Sequence, residues 1–241
     1  MLQFESQWDA AWAHVEAQPW YPDEQVVRFF AQNYARRLGP KRGDVAFKSG
    51  RRPRGLDLGC GKGRHLVTMA EHGIDAYGSD ISTVALSFAR QWLDELGLAA
   101  TLAHAGGSAI DAATNSFDIV ICHGVLDHIL ADERHGTNNE VFRVLKPGGA
   151  YFFSVISTRD CAYGSGQPTG EADTWYLAEG YEKSLPQAFF DEARIRSEFA
   201  DFDITNLTHV EVETLAGRSL IGSDKQYPKD SRFYVLARKP A

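Results

Sequence analysis

Apolar residues along the chain first recur at helical spacing. Phe4, Trp8, Ala11, Trp12 and Val15 share one face of a predicted helix over Leu2–Ala17, and Val26, Val27, Phe30 and Tyr34 share a face over Asp23–Leu38. Pro19 and Pro22 separate the two. From Gly39 to Arg54 periodicity is lost, and Lys41, Arg42, Lys48, Arg51, Arg52 and Arg54 stand against the single acid Asp44, so this stretch reads as a solvated basic connector.

The pattern then changes to short apolar runs alternating with amphipathic segments. Strands are predicted at Gly55–Leu58, Asp75–Ser79, Ala100–His104, Phe117–Cys122 and Ala150–Ile156, with helices at Arg64–His72, Thr83–Leu96 and about Asn138–Leu145. Strands separated by helices pair in parallel, because the chain must cross over a face of the sheet to return to the same edge. Beyond Ser157, Gly, Ser, Pro and Thr dominate up to Pro186, a stretch too long for an ordinary connection and read as a lid or substrate segment. A helix at Gln187–Phe199 and strands at Ile204–Val212 and Phe233–Arg238 follow, the last two close enough to pair antiparallel. The expected fold is α/β: a doubly wound, mostly parallel, seven-stranded Rossmann-like sheet with an N-terminal helical cap and an antiparallel C-terminal strand.

LDLGCGKGRH, Leu56 to His65, is the segment richest in chemistry: a strand, a loop with Gly59, Gly61 and Gly63, then a helix. Such a loop turns tightly and lets backbone N–H groups approach a ligand. A dinucleotide G-x-G-x-x-G would need glycine at 64, where Arg64 stands, and no phosphate-binding G-x-x-x-x-G-K-[ST] is formed. Asp80, closing the next strand in YGSD, supplies a carboxylate that can accept from both hydroxyls of a ribose.

LDLGCGKGRH, YGSDIS, SFDIVICHGVLDHI and RVLKPGGAYFFS, in this order and at these distances, resemble the class I S-adenosylmethionine-dependent methyltransferase family over Arg54 to about Ile156. The resemblance implies S-adenosylmethionine as cofactor and S-adenosylhomocysteine as product. It places Asp57, Gly59, Cys60, Gly61 and Gly63 against the methionine part, Asp80 on the ribose, Ile81 against adenine, and His123 toward the sulfonium. The family often has an acid after the third strand to accept from the adenine amino group. Here that segment reads AHAGGSAID, so Ser108 or a backbone carbonyl would have to substitute. RVLKPGGAYFFS implies a scaffolding role, a helix closed by a Pro-Gly-Gly turn before an apolar strand.

The chain is expected to form one methyltransferase domain over 1–241: a helical cap (1–38), the connector (39–54), a cofactor-binding core (55–156), a lid (157–186), and a C-terminal helix and strands (187–241). The formal net charge of −7, from 25 basic against 32 acidic residues, disfavours non-specific capture of nucleic acid and suits a small-molecule acceptor. Cys60, Cys122 and Cys161 form no CxxC pair, and His and acidic residues lack ligand spacing, so neither a disulfide framework nor a metal is assigned. An N-terminus without a basic start and apolar run, and no span of about 20 apolar residues, predict a cytoplasmic protein without a membrane segment. The oligomeric state is left open.

His123 is the candidate base, since an imidazole with a reference pKa of about 6.5 can accept a proton from an attacking hydroxyl or amine. The alternative is a histidine satisfied by backbone at a strand end. Trp20, Tyr21, His128, Tyr163, Trp175 and Tyr176 are the acceptor-facing candidates, aromatic residues able to close over an apolar pocket, and YGSG at Tyr163–Gly166 echoes small-molecule members of the family. Three rivals stand beside small-molecule methyl transfer: a cofactor-binding accessory protein without turnover, an RNA or protein methyltransferase, and a nicotinamide oxidoreductase, which Arg64 disfavours.

Overall fold

The computed structural model describes residues 3–13, 21–41, 43–180, 182–213 and 229–241. Its centre is a seven-stranded sheet of β3 (Arg54–Leu58), β4 (Asp75–Asp80), β5 (Ala100–His104), β6 (Phe117–His123), β7 (Leu145–Ile156), β11 (Asp203–Glu213) and β12 (Lys229–Arg238), in the order β11-β12-β7-β6-β3-β4-β5. The five strands from β7 to β5 run parallel, and β12 pairs antiparallel with both β7 and β11. The order reverses between β3 and β6, so the crevice outside the carboxyl ends of these strands is where an open α/β sheet takes a ligand.

Both faces of the sheet are covered. On one, α2 (Glu24–Asn33), α3 (Arg64–Glu71) and α4 (Thr83–Glu95) bury Phe29, Phe30, Leu66, Met69 and Leu93 against Ile119, Ile121 and Phe152. On the other, α5 (Ala131–Val144) and α6 (Glu192–Glu198) bury Val141, Val144, Ile195 and Phe199 against Val120, Tyr151, Phe153 and Val235. This two-sided burial is why the central strands read as near-continuous apolar runs.

Helix starts follow their caps. The Asp23 side chain accepts from Gln25 N at the start of α2, Ser82 Oγ from Ala85 N at the start of α4, and the Asp191 side chain from Arg194 N at the start of α6.

Four sequence expectations are corrected. The helix expected over Asp23–Leu38 ends at Asn33, and Ala35–Arg37 (β1) pairs with Val45–Phe47 (β2), so the connector holds a hairpin whose Phe47 packs against the turn at Gly73. The segment expected to be irregular carries a small antiparallel sheet of β8 (Gln167–Pro168), β9 (Thr174–Tyr176) and β10 (Pro186–Ala188), and buried β10 takes the place of the first turn expected for the helix at Gln187. The helix expected from Asn138 begins at Ala131. Lys146–Gly149 falls within β7, where the register against β6 shifts, instead of forming a separate turn. In the first helix, α1 (Glu5–Ala13) is described, and Val15 lies outside the described residues.

An ion-pair network explains the early start of α5, which has few apolar residues. Arg134, only 1% exposed, pairs with Glu171 of the β8–β9 turn and, at 3.0 Å, with Glu198 of α6. Arg194 bridges the same two acids at 2.7 Å each, and Glu171 Oε2 accepts from Ala131 N at 2.8 Å, capping α5. Removing one member of a buried network leaves uncompensated charge, so Arg134→Ala is expected to lower unfolding free energy by about 3–5 kcal/mol in urea titrations. A loss below about 1 kcal/mol would show that the network does not carry this region.

Candidate functional site

A cleft with about 670 Å³ of empty space, part of it open solvent, lies at the carboxyl edge of β3, β4, β5 and β6. Its floor is Leu58, Gly59, Asp80 and Ile81, the turn after β5 at Ala105 and Gly107, and the turn after β6 at Gly124 and Val125.

The loop after β3 is shaped by its neighbours. Gly59 and Gly61 have φ of 69° and 52°, and a Cβ on them would lie 2.3 Å from Val125 Cγ2 and 2.6 Å from Trp12 Cη2. No other residue fits at either position. Gly59 N and Cys60 N donate to Ser79 O, and Gly61 N donates to Asp80 Oδ2 at 2.7 Å, while Ser82 N donates to Asp80 Oδ1 at 2.8 Å. Burial pushes the Asp80 carboxyl up, and these backbone donors oppose it. Asp57, 1% exposed, has an Oδ2 with no hydrogen-bond partner; burial pushes its carboxyl up to about 7, with Arg64 opposing and Asp80 adding to the rise.

The roof is α1. Asp9 accepts from Ser82 Oγ at 2.6 Å and from Val84 N at 3.2 Å, docking the helix on the start of α4. Phe4, just before α1, and Trp8 and Trp12, one turn apart on it, line the cleft; Trp8 meets the His128 ring edge-on at 5.3 Å, and Trp12 shares the Lys62 ammonium with Phe88. The aromatic cover expected from the lid segment is thus supplied by the N-terminal helix. That signal was present as the aromatic positions of its apolar face.

The predicted site residues divide accordingly. Gly59, Asp80, Ile81 and His128 line the cleft, Gly61 is bonded to Asp80, and Asp57 is buried at the base of the loop. Cys60 packs beneath the loop with its thiol pKa raised by burial, and Gly63 abuts Ala89 of α4. Ser108 is exposed and sits against Gly136, away from the cleft lining. Tyr21 is 84% exposed. Tyr163, Trp175 and Phe189 form edge-to-face contacts among themselves beside Tyr176, and none of them lines the cleft. Trp20 lies outside the described residues.

His123 is directed into a buried polar cluster on the α2 and α3 side. Arg64 Nη2 donates to its Nδ1 at 3.4 Å, and its Nε2 lies 3.2 Å from Asp23 Oδ2, at ion-pair distance without hydrogen-bond alignment. Burial lowers its pKa, Asp23 opposes this, and Arg64 and Arg232 reinforce it. Burial works against the Asp23 carboxylate too, but His123, Tyr234 Oη at 2.8 Å and Gln25 N outweigh it and hold its pKa well below the usual range. His65 Nε2 accepts from Asp23 N at 3.1 Å and completes the link from α2 to the end of β6. His128 differs: its Nδ1 lies 3.2 Å from Pro186 O, which assigns the Nδ1–H tautomer, and its Nε2 lies 3.6 Å from Glu182 Oε1. Glu133 and Thr137 of α5, not foreseen from the sequence, also line the cleft.

Residues 56–153 match the family model described as "Methyltransferase domain". A ubiquinone biosynthesis O-methyltransferase of Azoarcus sp. (strain BH72) is 38% identical over 110 residues, covering 45% of this chain and 46% of the relative, so the chain spans about half the length of the curated relatives it matches. Among solved structures, a SAM-dependent methyltransferase from Methanosarcina mazei superimposes with a TM-score of 0.65 at 22% identity, over 78% of this chain and 93% of the other. A protein whose structure accompanies the conversion of a disulfide bond into a thioacetal group during echinomycin biosynthesis gives 0.71 at 19% identity, over 99% and 92%. Sheet order, glycine loop and strand-end acid are those expected of the class I S-adenosylmethionine-dependent methyltransferases, and the similarity in sequence is carried by residues 56–153. Residues 56–153 form the part of the chain that the family model covers. Among the described residues, no helix is long and apolar enough to cross a membrane, and no cluster of His, Cys, Asp and Glu could hold a metal ion.

The raised Asp57 pKa has a sign that can be measured. Below about pH 4 the carboxyl is protonated folded or unfolded; between there and about 7 only the folded state keeps the proton, so wild type loses stability as pH rises through that window. Asp57→Asn lacks this loss. Its melting temperature is expected to match wild type near pH 4 and exceed it by several degrees at pH 8; a pH-independent difference would contradict the assignment.

Proposed function

We propose that the chain transfers a methyl group from S-adenosylmethionine to a nucleophilic atom of a small-molecule acceptor. One observation carries this: a strand-end carboxylate, Asp80, lining the cleft and bonded to the backbone of the adjoining glycine loop. The residues fit the cofactor. Asp57 Oδ2 lacks a donor that an ammonium group would supply. Asp80 would hold the ribose hydroxyls, Ile81 the base, and the loop N–H groups with Asp57 the amino-acid end.

When bound, the cofactor supplies an electrophilic methyl on a sulfonium whose leaving group is a neutral thioether. The protein therefore has to orient the acceptor, exclude water and remove one proton, and orientation alone can provide effective molarities of about 10⁵ M or more. Phe4, Trp8 and Trp12 form the water-excluding cover. His123, first considered as the base, does not line the cleft and is turned into the cluster of Asp23 and Arg64, so its role in this reading is to join α2 to β6. His128 takes the proton: it lines the cleft, Pro186 O fixes its tautomer, and Glu182 balances the charge the ring gains. The relatives' activity, O-methyl transfer, favours oxygen as the attacking atom. A small organic acceptor suits the chain's acidic balance better than RNA does.

Calorimetric titration of S-adenosylhomocysteine into wild type and Asp80→Ala is expected to show affinity at least about tenfold weaker in the variant, the loss of charge-assisted hydrogen bonds. Equal affinity would remove Asp80 from the site. With a panel of phenol and amine acceptors and S-adenosylhomocysteine release as readout, His128→Ala is expected to lower turnover by about 10²-fold or more, with cofactor affinity largely kept. Turnover within twofold of wild type would exclude His128 as the proton acceptor.

A further inference from the structure

The cleft has two chemically different ends. One lies at the glycine loop, with Leu58 and Gly59 in its lining and the Asp57 carboxylate buried beneath the loop. The other, beyond Asp80 toward β5, is walled by Ile81, Ala105 and Gly107 and bounded by one face of α5 carrying Glu133 and Thr137. These two residues sit one helical turn apart and so share that face.

Both hold oxygens without partners. Thr137 is fully buried, and its Oγ1 makes no hydrogen bond, although a helical threonine ordinarily bonds the carbonyl one turn back. Glu133 Oε2 is buried and equally unpaired. Burial pushes the Glu133 carboxyl up, as for an acid left without a donor. Buried polar groups in folded proteins almost always find partners, so two orphans on one wall of a ligand cleft point to a ligand that completes them.

The turn after β5 leaves room for Thr137. A Cβ on Gly107 would lie 2.6 Å from Thr137 Oγ1 and 2.8 Å from its Cγ2, so residue 107 can carry no side chain while Thr137 occupies that space. The chain thus has α5 presenting polar groups where the turn itself offers none. Their positions are fixed, because Arg134, next to Glu133, is locked to Glu171 and Glu198, and Glu171 caps the first turn of the same helix.

We propose that Glu133 and Thr137 read the hydrogen-bonding edge of the purine, Glu133 accepting from the exocyclic amine and Thr137 donating to the adjacent ring nitrogen. This rests on the reading of the cleft as an S-adenosylmethionine site. A flat apolar pocket with one acceptor and one donor at its rim matches adenine. Hypoxanthine presents the reverse pattern, a carbonyl where adenine has an amine and an N–H where adenine has a lone pair, and so is rejected.

The test is calorimetric binding of S-adenosylhomocysteine and S-inosylhomocysteine to wild type, Glu133→Gln and Thr137→Val, with circular dichroism melts to establish that each is folded. Wild type is expected to prefer the adenosyl compound by about tenfold or more, since a site built around hydrogen bonds discriminates against a ligand that leaves them unmade. Glu133→Gln, whose amide can donate to the inosyl carbonyl, is expected to reduce that preference to about threefold or less, and Thr137→Val to weaken adenosyl binding several-fold. Binding of both ligands equally by wild type, or variants that keep wild-type affinity and preference, would overturn the inference and leave the cofactor reading standing. Binding of neither ligand by wild type would overturn both.

Discussion

The site is organised around a carboxylate that has been taken out of water. Asp80 is 7% exposed, and burying an ion is tolerable only where donors compensate it. Two of those donors are backbone N–H groups, from Gly61 in the loop after β3 and from Ser82 at the start of α4. The bond to Gly61 draws the loop across the end of β4, which requires a positive φ at Gly61 and leaves no room for a side chain there. Ser82 also caps α4 and receives Asp9 from the roof helix. One buried charge thereby sets the loop, the helix start and the docking of α1, and leaves the remaining carboxylate capacity facing the cleft.

The surroundings divide into a braced wall and a docked cover. Arg134, Glu171, Arg194 and Glu198 bind α5, the β8–β9 turn and α6 into one unit, and the buried cluster of Asp23, His65, His123 and Tyr234 ties α2 to the end of β6. Among the described residues, the roof helix is held by Asp9 on the start of α4, by Glu5 beside His104, and by aromatic contacts through Trp8 and Trp12. A cofactor site needs that asymmetry, with walls that preorganise recognition and a cover that can release product.

Much of this was legible in the chain itself. The seven strands, their parallel order and the antiparallel end follow from period and spacing, and Asp80 follows from its place after the second core strand. Residues whose role depends on side-chain direction were harder. His123 and Gly124 are adjacent, yet strand alternation turns the His123 ring into the α2 and α3 face while Gly124 lines the cleft. The early turns of α5 lacked an apolar stripe because ion pairs, not hydrophobic burial, hold them. Glu133 and Thr137 look like ordinary polar helix residues until the turn at Gly107 is seen to make room for one of them. Tyr163 and Trp175, expected over the cleft from their aromatic type and their place in the lid segment, with YGSG added for Tyr163, pack against each other and Phe189 instead.

The most direct trial of the account is a crystal structure with S-adenosylhomocysteine bound. The account requires both ribose hydroxyls on the Asp80 carboxylate, the amino-acid end over the glycine loop near Asp57, and the purine toward β5 beneath α1. Density for the nucleoside elsewhere, or a ribose held without Asp80 while the Gly61 bond stays intact, would contradict it.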